Sequence, residues 1–139
     1  MPSIMKWTYS YIEDPSVPGK FVYIPLIEAN LGEYRIAVTC LIDSGSPVTI
    51  IHSPLAVASG IIPSSGKKSI LRGVGGDTIL GYYHEVELLV CGYHYTCQAF
   101  LTADLQIPYC ILGQVGFFQN FRVTFDLPKL SFEVVPVKS

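Results

Sequence analysis

Charge is scarce in this 139-residue sequence: 14% of its residues are Asp, Glu, Lys or Arg, against roughly 25% in an average soluble protein. The nine Lys and Arg are scattered, Lys67-Lys68 is the longest basic run, and the formal charge is −2. A nucleic-acid binder needs a basic stripe that displaces counterions from phosphates, so that class is excluded. Long apolar runs are missing as well. The longest uncharged stretch, Ser44 to Gly66, holds Pro47, Pro54, Pro63 and six serines, whereas a spanning helix wants about 20 mostly apolar residues. Met1-Pro2-Ser3-Ile4-Met5-Lys6-Trp7 shows no basic region followed by an apolar run. No secretory signal is therefore read there, and a cytoplasmic chain without a membrane tether of its own is expected. C-x-x-C pairs are absent too. Cys40, Cys91, Cys97 and Cys110 stand apart, and His52, His84 and His94 lie at no finger-like spacing from them. Reduced, mostly buried thiols are expected, with no metal and no cofactor.

What the chain has in quantity is apolar surface. Half of its residues are hydrophobic, which excludes disorder, and the length suits one domain. With so little charge, either the core is unusually large or an apolar patch meets a partner, which favours an oligomer. The pattern reads as β throughout. Phe21 to Ile27 and Tyr34 to Ile42 are rich in β-branched and aromatic residues, and Asn30-Leu31-Gly32-Glu33 between them supplies a turn. Further strand-like runs cover Ser69 to Leu71, Thr78 to Val90, Tyr93 to Leu101, Arg122 to Leu127 and Leu130 to Val135. Cys91-Gly92 and Leu127-Pro128-Lys129 mark two more hairpins. Pro54 to Ser59 could form a helical turn, and Gln114 to Phe121 is the best candidate for a short helix. Short strands with regular turns predict a closed or sandwiched all-β domain over residues 21–139. Residues 1–20, with three prolines and no clean alternation, read as an N-terminal arm.

Three constellations bear chemistry. Leu41-Ile42-Asp43-Ser44-Gly45-Ser46 puts a carboxylate at the apolar end of a strand, where a rigid element holds it and Gly45 permits a tight turn beside a ligand. Asp-Ser-Gly is also ordinary turn chemistry. Leu71-Arg72-Gly73-Val74-Gly75-Gly76-Asp77 has neither phosphate-loop spacing and is followed by a strand, so it reads as a mobile hairpin tip. Tyr109-Cys110-Ile111-Leu112-Gly113-Gln114 is an apolar strand ending at Gly113, and alone it reads as core plus a turn.

Taken together and in order, the three resemble the retropepsin-like aspartic peptidases, over about Phe21 to Val135. Asp43-Ser44-Gly45 falls on that family's D-[ST]-G catalytic triplet and Ser46 on the small residue after it. The stretch Arg72 to Gly76 resembles the flap, with Gly73, Gly75 and Gly76 around Val74 at its apolar tip. Ile111-Leu112-Gly113 matches the apolar-apolar-Gly element that packs behind the catalytic loop, and Cys91-Gly92 falls where many viral members turn between strands. The resemblance implies a closed all-β acid-protease barrel with a flap hairpin and one short C-terminal helix.

Two departures matter. Viral members often pair an acidic residue after the catalytic loop with a basic residue after the late glycine. Here those positions hold Pro47-Val48 and Gln114. The Arg122 to Val135 stretch is also longer than the viral tail and is more similar to cellular or prokaryotic relatives.

The implied chemistry sets the assembly. Peptide hydrolysis by this route needs two carboxylates sharing one proton, one activating water while the other protonates the scissile carbonyl. The chain holds a single D-[ST]-G, so a two-fold homodimer is expected to bring a second Asp43. The resemblance further implies that Ser44 hydrogen-bonds across the axis and that Ser46 donates to the outer carboxylate oxygen. The expected function is an aspartic endopeptidase acting on extended peptides, with Val48, Ile50, Val74 and Ile107 as candidate pocket residues. The alternative is a non-catalytic module of the same fold that binds peptides or dimerises. An actin-like or sugar-kinase-like phosphate loop also reads D-x-G-[ST], but that fold needs two large α/β halves, and this chain has neither the length nor the helix.

Overall fold

The computed structural model describes residues 5–14, 16, 17, 19, 21–73 and 75–137. Its strands are β1 (Trp7–Ser10), β2 (Ile12–Glu13), β3 (Tyr23–Ile24), β4 (Leu26–Leu31), β5 (Ile36–Ile42), β6 (Thr49–His52), β7 (Lys67–Arg72), β8 (Thr78–Val90), β9 (Tyr93–Thr102), β10 (Cys110–Leu112), β11 (Phe121–Asp126) and β12 (Ser131–Pro136). Helix α1 (Ser53–Ala58) is a turn and a half with Pro54 in its first turn, where the missing N–H costs nothing.

Six strands close on themselves in the order β4-β5-β10-β6-β9-β8, with β8 pairing back onto β4 at Leu31↔Leu88. This is an all-β closed barrel. Two of its ladders are parallel, β5 with β10 and β6 with β9. β7 hangs from the outer part of β8 as the second arm of a long hairpin. β8 shows why. Its residues before Val86 are exposed or half-buried apart from Gly81, whereas from Val86 onward alternate side chains, Val86, Leu88 and Val90, are buried. One strand thus starts in solvent and ends as barrel wall.

The expected hairpins at Cys91-Gly92 and Leu127–Lys129 form, and so does the first, but its turn lies at 32–35: Asn30 and Leu31, expected in the turn, end β4 and pair with Ala37 and Ile36. Within the segment read as an arm, β1 pairs in register with β12, Trp7↔Val134 to Ser10↔Ser131, and Tyr9 stacks on Phe132 with ring centroids 5.4 Å apart. β1, β12 and β11 make a separate three-stranded sheet that covers the barrel.

The segment Gln114 to Phe121 differs from expectation. It closes as successive turns, with Phe118 N–H donating to Gly113 O and Asn120 N–H to Phe117 O. Gly116 sits at φ +98°, with a virtual Cβ 2.7 Å from Thr49 Oγ1, so the chain leaves helical space where it presses on β6. The regular α-helix lies instead at Ser53–Ala58. Phe117 is buried in a stack with Phe121, centroids 4.7 Å apart, and these rings anchor the turns to the core. The four cysteines are unpaired, with Cys40 and Cys110 buried. Among the described residues, no helix is long and apolar enough to cross a membrane, and no group of three or more His, Cys, Asp or Glu is placed to hold a metal.

Candidate active site

The site begins with a register. β5 and β10 pair Cys40↔Cys110, Leu41↔Ile111 and Ile42↔Leu112, so the two strands run side by side and end at one level. Asp43 N–H continues the ladder to Leu112 O at 3.0 Å. The half-buried Asp43 therefore leaves the barrel from a strand fixed on both sides. Its loop then folds back: Gly45 N–H donates to Asp43 Oδ1 at 2.9 Å and Ser46 N–H to Asp43 O at 3.1 Å. A carboxylate that accepts a backbone N–H is oriented as well as held.

Ser46 does not play the part the resemblance implied. Its hydroxyl donates to Val48 O at 2.7 Å, two residues on, and so stiffens the loop instead of supporting the carboxylate. The physical reason is local: a buried hydroxyl beside a free carbonyl of its own loop takes the nearest acceptor. Ser44 and Gly45 are exposed.

Gly113 packs behind this loop at a distance that no side chain tolerates. A Cβ there would lie 2.2 Å from Val48 O and 2.7 Å from Ser46 O. Gln114 N–H donates to Ser46 O and Val115 N–H to Pro47 O, so the late strand and the Asp43 loop are stitched residue by residue. Thr49, wholly buried, completes the stitch: Oγ1 donates to Val115 O at 2.9 Å and accepts from Gly113 N–H at 3.3 Å. The Cys40 and Cys110 thiols lie one layer below; Cys40 Sγ donates to Val38 O at 3.7 Å, and the neighbouring Cys110 thiol together with burial holds the Cys40 thiol well above its ordinary range.

Asp43 opens into a cleft of about 300 Å³ under the β7–β8 hairpin. Ile50, Leu71, Ile79, Leu105 and Ile111 give it apolar walls. Arg72 and Asp77 on the hairpin arms are the other charged side chains lining it. The hairpin tip is a tight turn, with Gly73 N–H donating to Asp77 O at 2.8 Å and Gly76 N–H to Gly73 O at 3.0 Å. Val74, expected at the tip and in the pocket, lies outside the described residues.

Of the expected pocket residues, Ile50 lines the cleft, while Val48 and Ile107 pack behind it against Ile50, Phe100 and Ile111. Ile111 and Leu112, grouped as support by sequence, divide: Ile111 faces the cleft and Leu112 is buried in the main core. Leu71, Ile79 and Leu105 escape the sequence reading, although Leu71 and Ile79 flank the glycine-rich tip symmetrically. His52 secures the far wall. Its Nε2 contacts Ile107 O at 2.9 Å and Tyr109 O at 3.1 Å. Carbonyls only accept, so Nε2 carries the hydrogen.

No family model matches the chain. DNA damage-inducible protein 1 of Phaeosphaeria nodorum is 26% identical over 132 residues, 92% of this chain and 29% of that protein. The protein of the same name from Saccharomyces cerevisiae is 27% identical over 92 residues, 65% of this chain and 21% of its own length. The chain thus spans between a fifth and a third of the curated relatives it matches. Among solved structures, a retropepsin-like aspartic protease from Rickettsia conorii superposes over 100% of this chain and 98% of its own, with TM-score 0.61 at 11% identity. EIAV protease complexed with the inhibitor HBY-793 matches 70% of this chain and 88% of its own, with TM-score 0.53 at 19% identity. With a closed barrel, a flap-like hairpin over an aspartate loop and these neighbours, the chain has the retropepsin-like fold that its three motifs resemble.

Proposed function

We propose that the chain supplies half of an aspartic endopeptidase and that two copies complete it. One observation carries this reading: Asp43 is presented at the end of β5, its carboxylate held by Gly45 N–H, at the floor of an apolar cleft beneath a glycine-tipped hairpin. In a two-fold homodimer the two Asp43 carboxylates lie close enough that both cannot ionise, so they hold one proton between them. The ionised partner takes a proton from water as it attacks the scissile carbonyl, and the protonated partner donates to the carbonyl oxygen. Glycines at 73, 75 and 76 let the hairpin close over an extended peptide and exclude water. The cleft walls suit aliphatic or aromatic side chains on that peptide, with main-chain hydrogen bonds setting its register. Ser44, exposed at the apex of the loop, is the residue that bonds across the axis in this reading.

The test is Asp43→Asn. We expect it to abolish cleavage of an apolar peptide panel while sedimentation still shows a folded dimer. Specific activity of the parent should rise with protein concentration through the dimer dissociation range. Turnover that survives in Asp43→Asn would remove the mechanism, and peptide binding without turnover in the parent would favour the non-catalytic module.

A further inference from the structure

The loop that presents Asp43 contains one peptide group with both ends occupied. The carbonyl of Ser44 accepts from Gln114 Nε2 at 2.9 Å, and the N–H of Gly45 donates to Asp43 Oδ1 at 2.9 Å. These two groups belong to the same peptide unit. In a trans peptide the C=O and N–H point in opposite directions across a rigid plane, and no cis bond is found among the described residues. Whatever fixes the carbonyl therefore aims the N–H. Because Ser44 O can only accept, the nitrogen of the Gln114 amide is the atom that faces it.

We propose that Gln114 is a positioning residue for Asp43, acting through the Ser44–Gly45 peptide. The side chain reaches from the turn just after β10 across the foot of the loop, and its backbone N–H independently holds Ser46 O at 2.9 Å. Gln114 thus grips the loop on both sides of Gly45. The chain of donors, amide to carbonyl and then N–H to carboxylate, runs in one direction, so each bond polarises the next. Ser44 and Gly45 are exposed and Gly45 carries no side chain; without the amide, the Ser44 carbonyl loses the partner that fixes it, and the donor that Gly45 offers the carboxylate is less firmly aimed. The inference rests on the reading of Asp43 as the reacting carboxylate, but its first readout does not depend on catalysis.

The experiment compares the parent chain with Gln114→Met, which keeps an unbranched side chain of similar length and removes the donor. Gln114 is exposed, so the substitution should leave the fold and the dimer in place. We expect the Gly45 amide proton to move upfield and to exchange about tenfold faster. We expect kcat on an apolar peptide to fall about tenfold with KM within about twofold, because orientation of the reacting group is lost while the cleft is intact. Gln114→Lys, which restores an N–H donor on a long stem, should bring both readouts back towards the parent. A Gly45 amide unchanged in Gln114→Met overturns the proposal, as does a rise in KM with kcat unaltered. If Gln114→Met does not fold, Gln114→Glu, acceptor-only at neutral pH, replaces it with the same expected outcomes. Should the parent cleave no peptide, the endopeptidase reading fails, and the Gly45 amide alone decides whether Gln114 orients the loop.

Discussion

At the scale of single residues, close approach does more at this site than charge. Gly113 is the clearest case: Val48 O and Ser46 O stand 2.2 and 2.7 Å from where a Cβ would be, and both belong to backbone that Thr49 and Val115 hold in place. Gly113→Ala therefore has to push the Asp43 loop off the late strand. We expect a loss of about 3 kcal/mol or more in urea unfolding, with a matching loss of the proposed peptidase activity. Stability within about 0.5 kcal/mol of the parent would show that the loop moves more easily than its hydrogen bonds imply. Asp43-Ser44-Gly45 and Gly113 stand out in the sequence as motifs, and the structure brings their two loops together, with Gly113 at a backbone approach that only glycine allows. Ser46 misleads, because sequence does not say which acceptor its hydroxyl takes, and the loop offers it Val48 O at 2.7 Å. Thr49 and the Gln114 amide leave a weak signal. A threonine in an apolar run and a glutamine in place of a basic residue both look neutral until the two strands are brought together.

At the scale of elements, local pairs are readable and distant ones are not. The β4–β5, β8–β9 and β11–β12 hairpins announce themselves by turn residues between β-rich runs. β6 does not, since four residues, Thr49 to His52, sit between a serine-rich loop and α1 and find their partners, β9 and β10, about fifty residues or more away in sequence. β1 is a second example, its partner β12 lying at the other end of the chain. Tyr9 ties this strand down: its ring stacks on the buried Phe132, and its hydroxyl lies 3.1 Å from Cys91 Sγ at the β8–β9 turn. Removing residues 1–10 should uncover Phe132 and lower the urea midpoint, and Tyr9→Ala alone should cost about 2 kcal/mol. A truncated chain with an unchanged midpoint would mean that the first strand contributes no net stability.

At the scale of the whole molecule, the low charge of the sequence has a consequence for alkaline pH. Several of its titratable groups are thiols and phenols inside the barrel and under the terminal sheet, where the anion is disfavoured. Burial pushes the Cys97 thiol up to about 12 from an ordinary 9.0. It also raises Cys91 and, more strongly, the phenols of Tyr9 and Tyr95. The Tyr95 hydroxyl is buried with no hydrogen-bond partner among the described residues, so nothing there welcomes an oxyanion. Each group keeps its proton longer in the folded chain than in the unfolded one. The unfolded chain thus ionises first, and the stability these groups contribute is complete below about pH 9 and drains away as pH rises towards 12. Urea midpoints measured from pH 7 to pH 11 should be level at first and then fall from about pH 9. Cys97→Ala should be less stable than the parent at about pH 7 yet show a shallower fall, since its share of the linkage has gone. A variant whose alkaline slope equals that of the parent would place the loss on the phenols and Cys91 instead, and would show that the Cys97 thiolate is tolerated inside the fold.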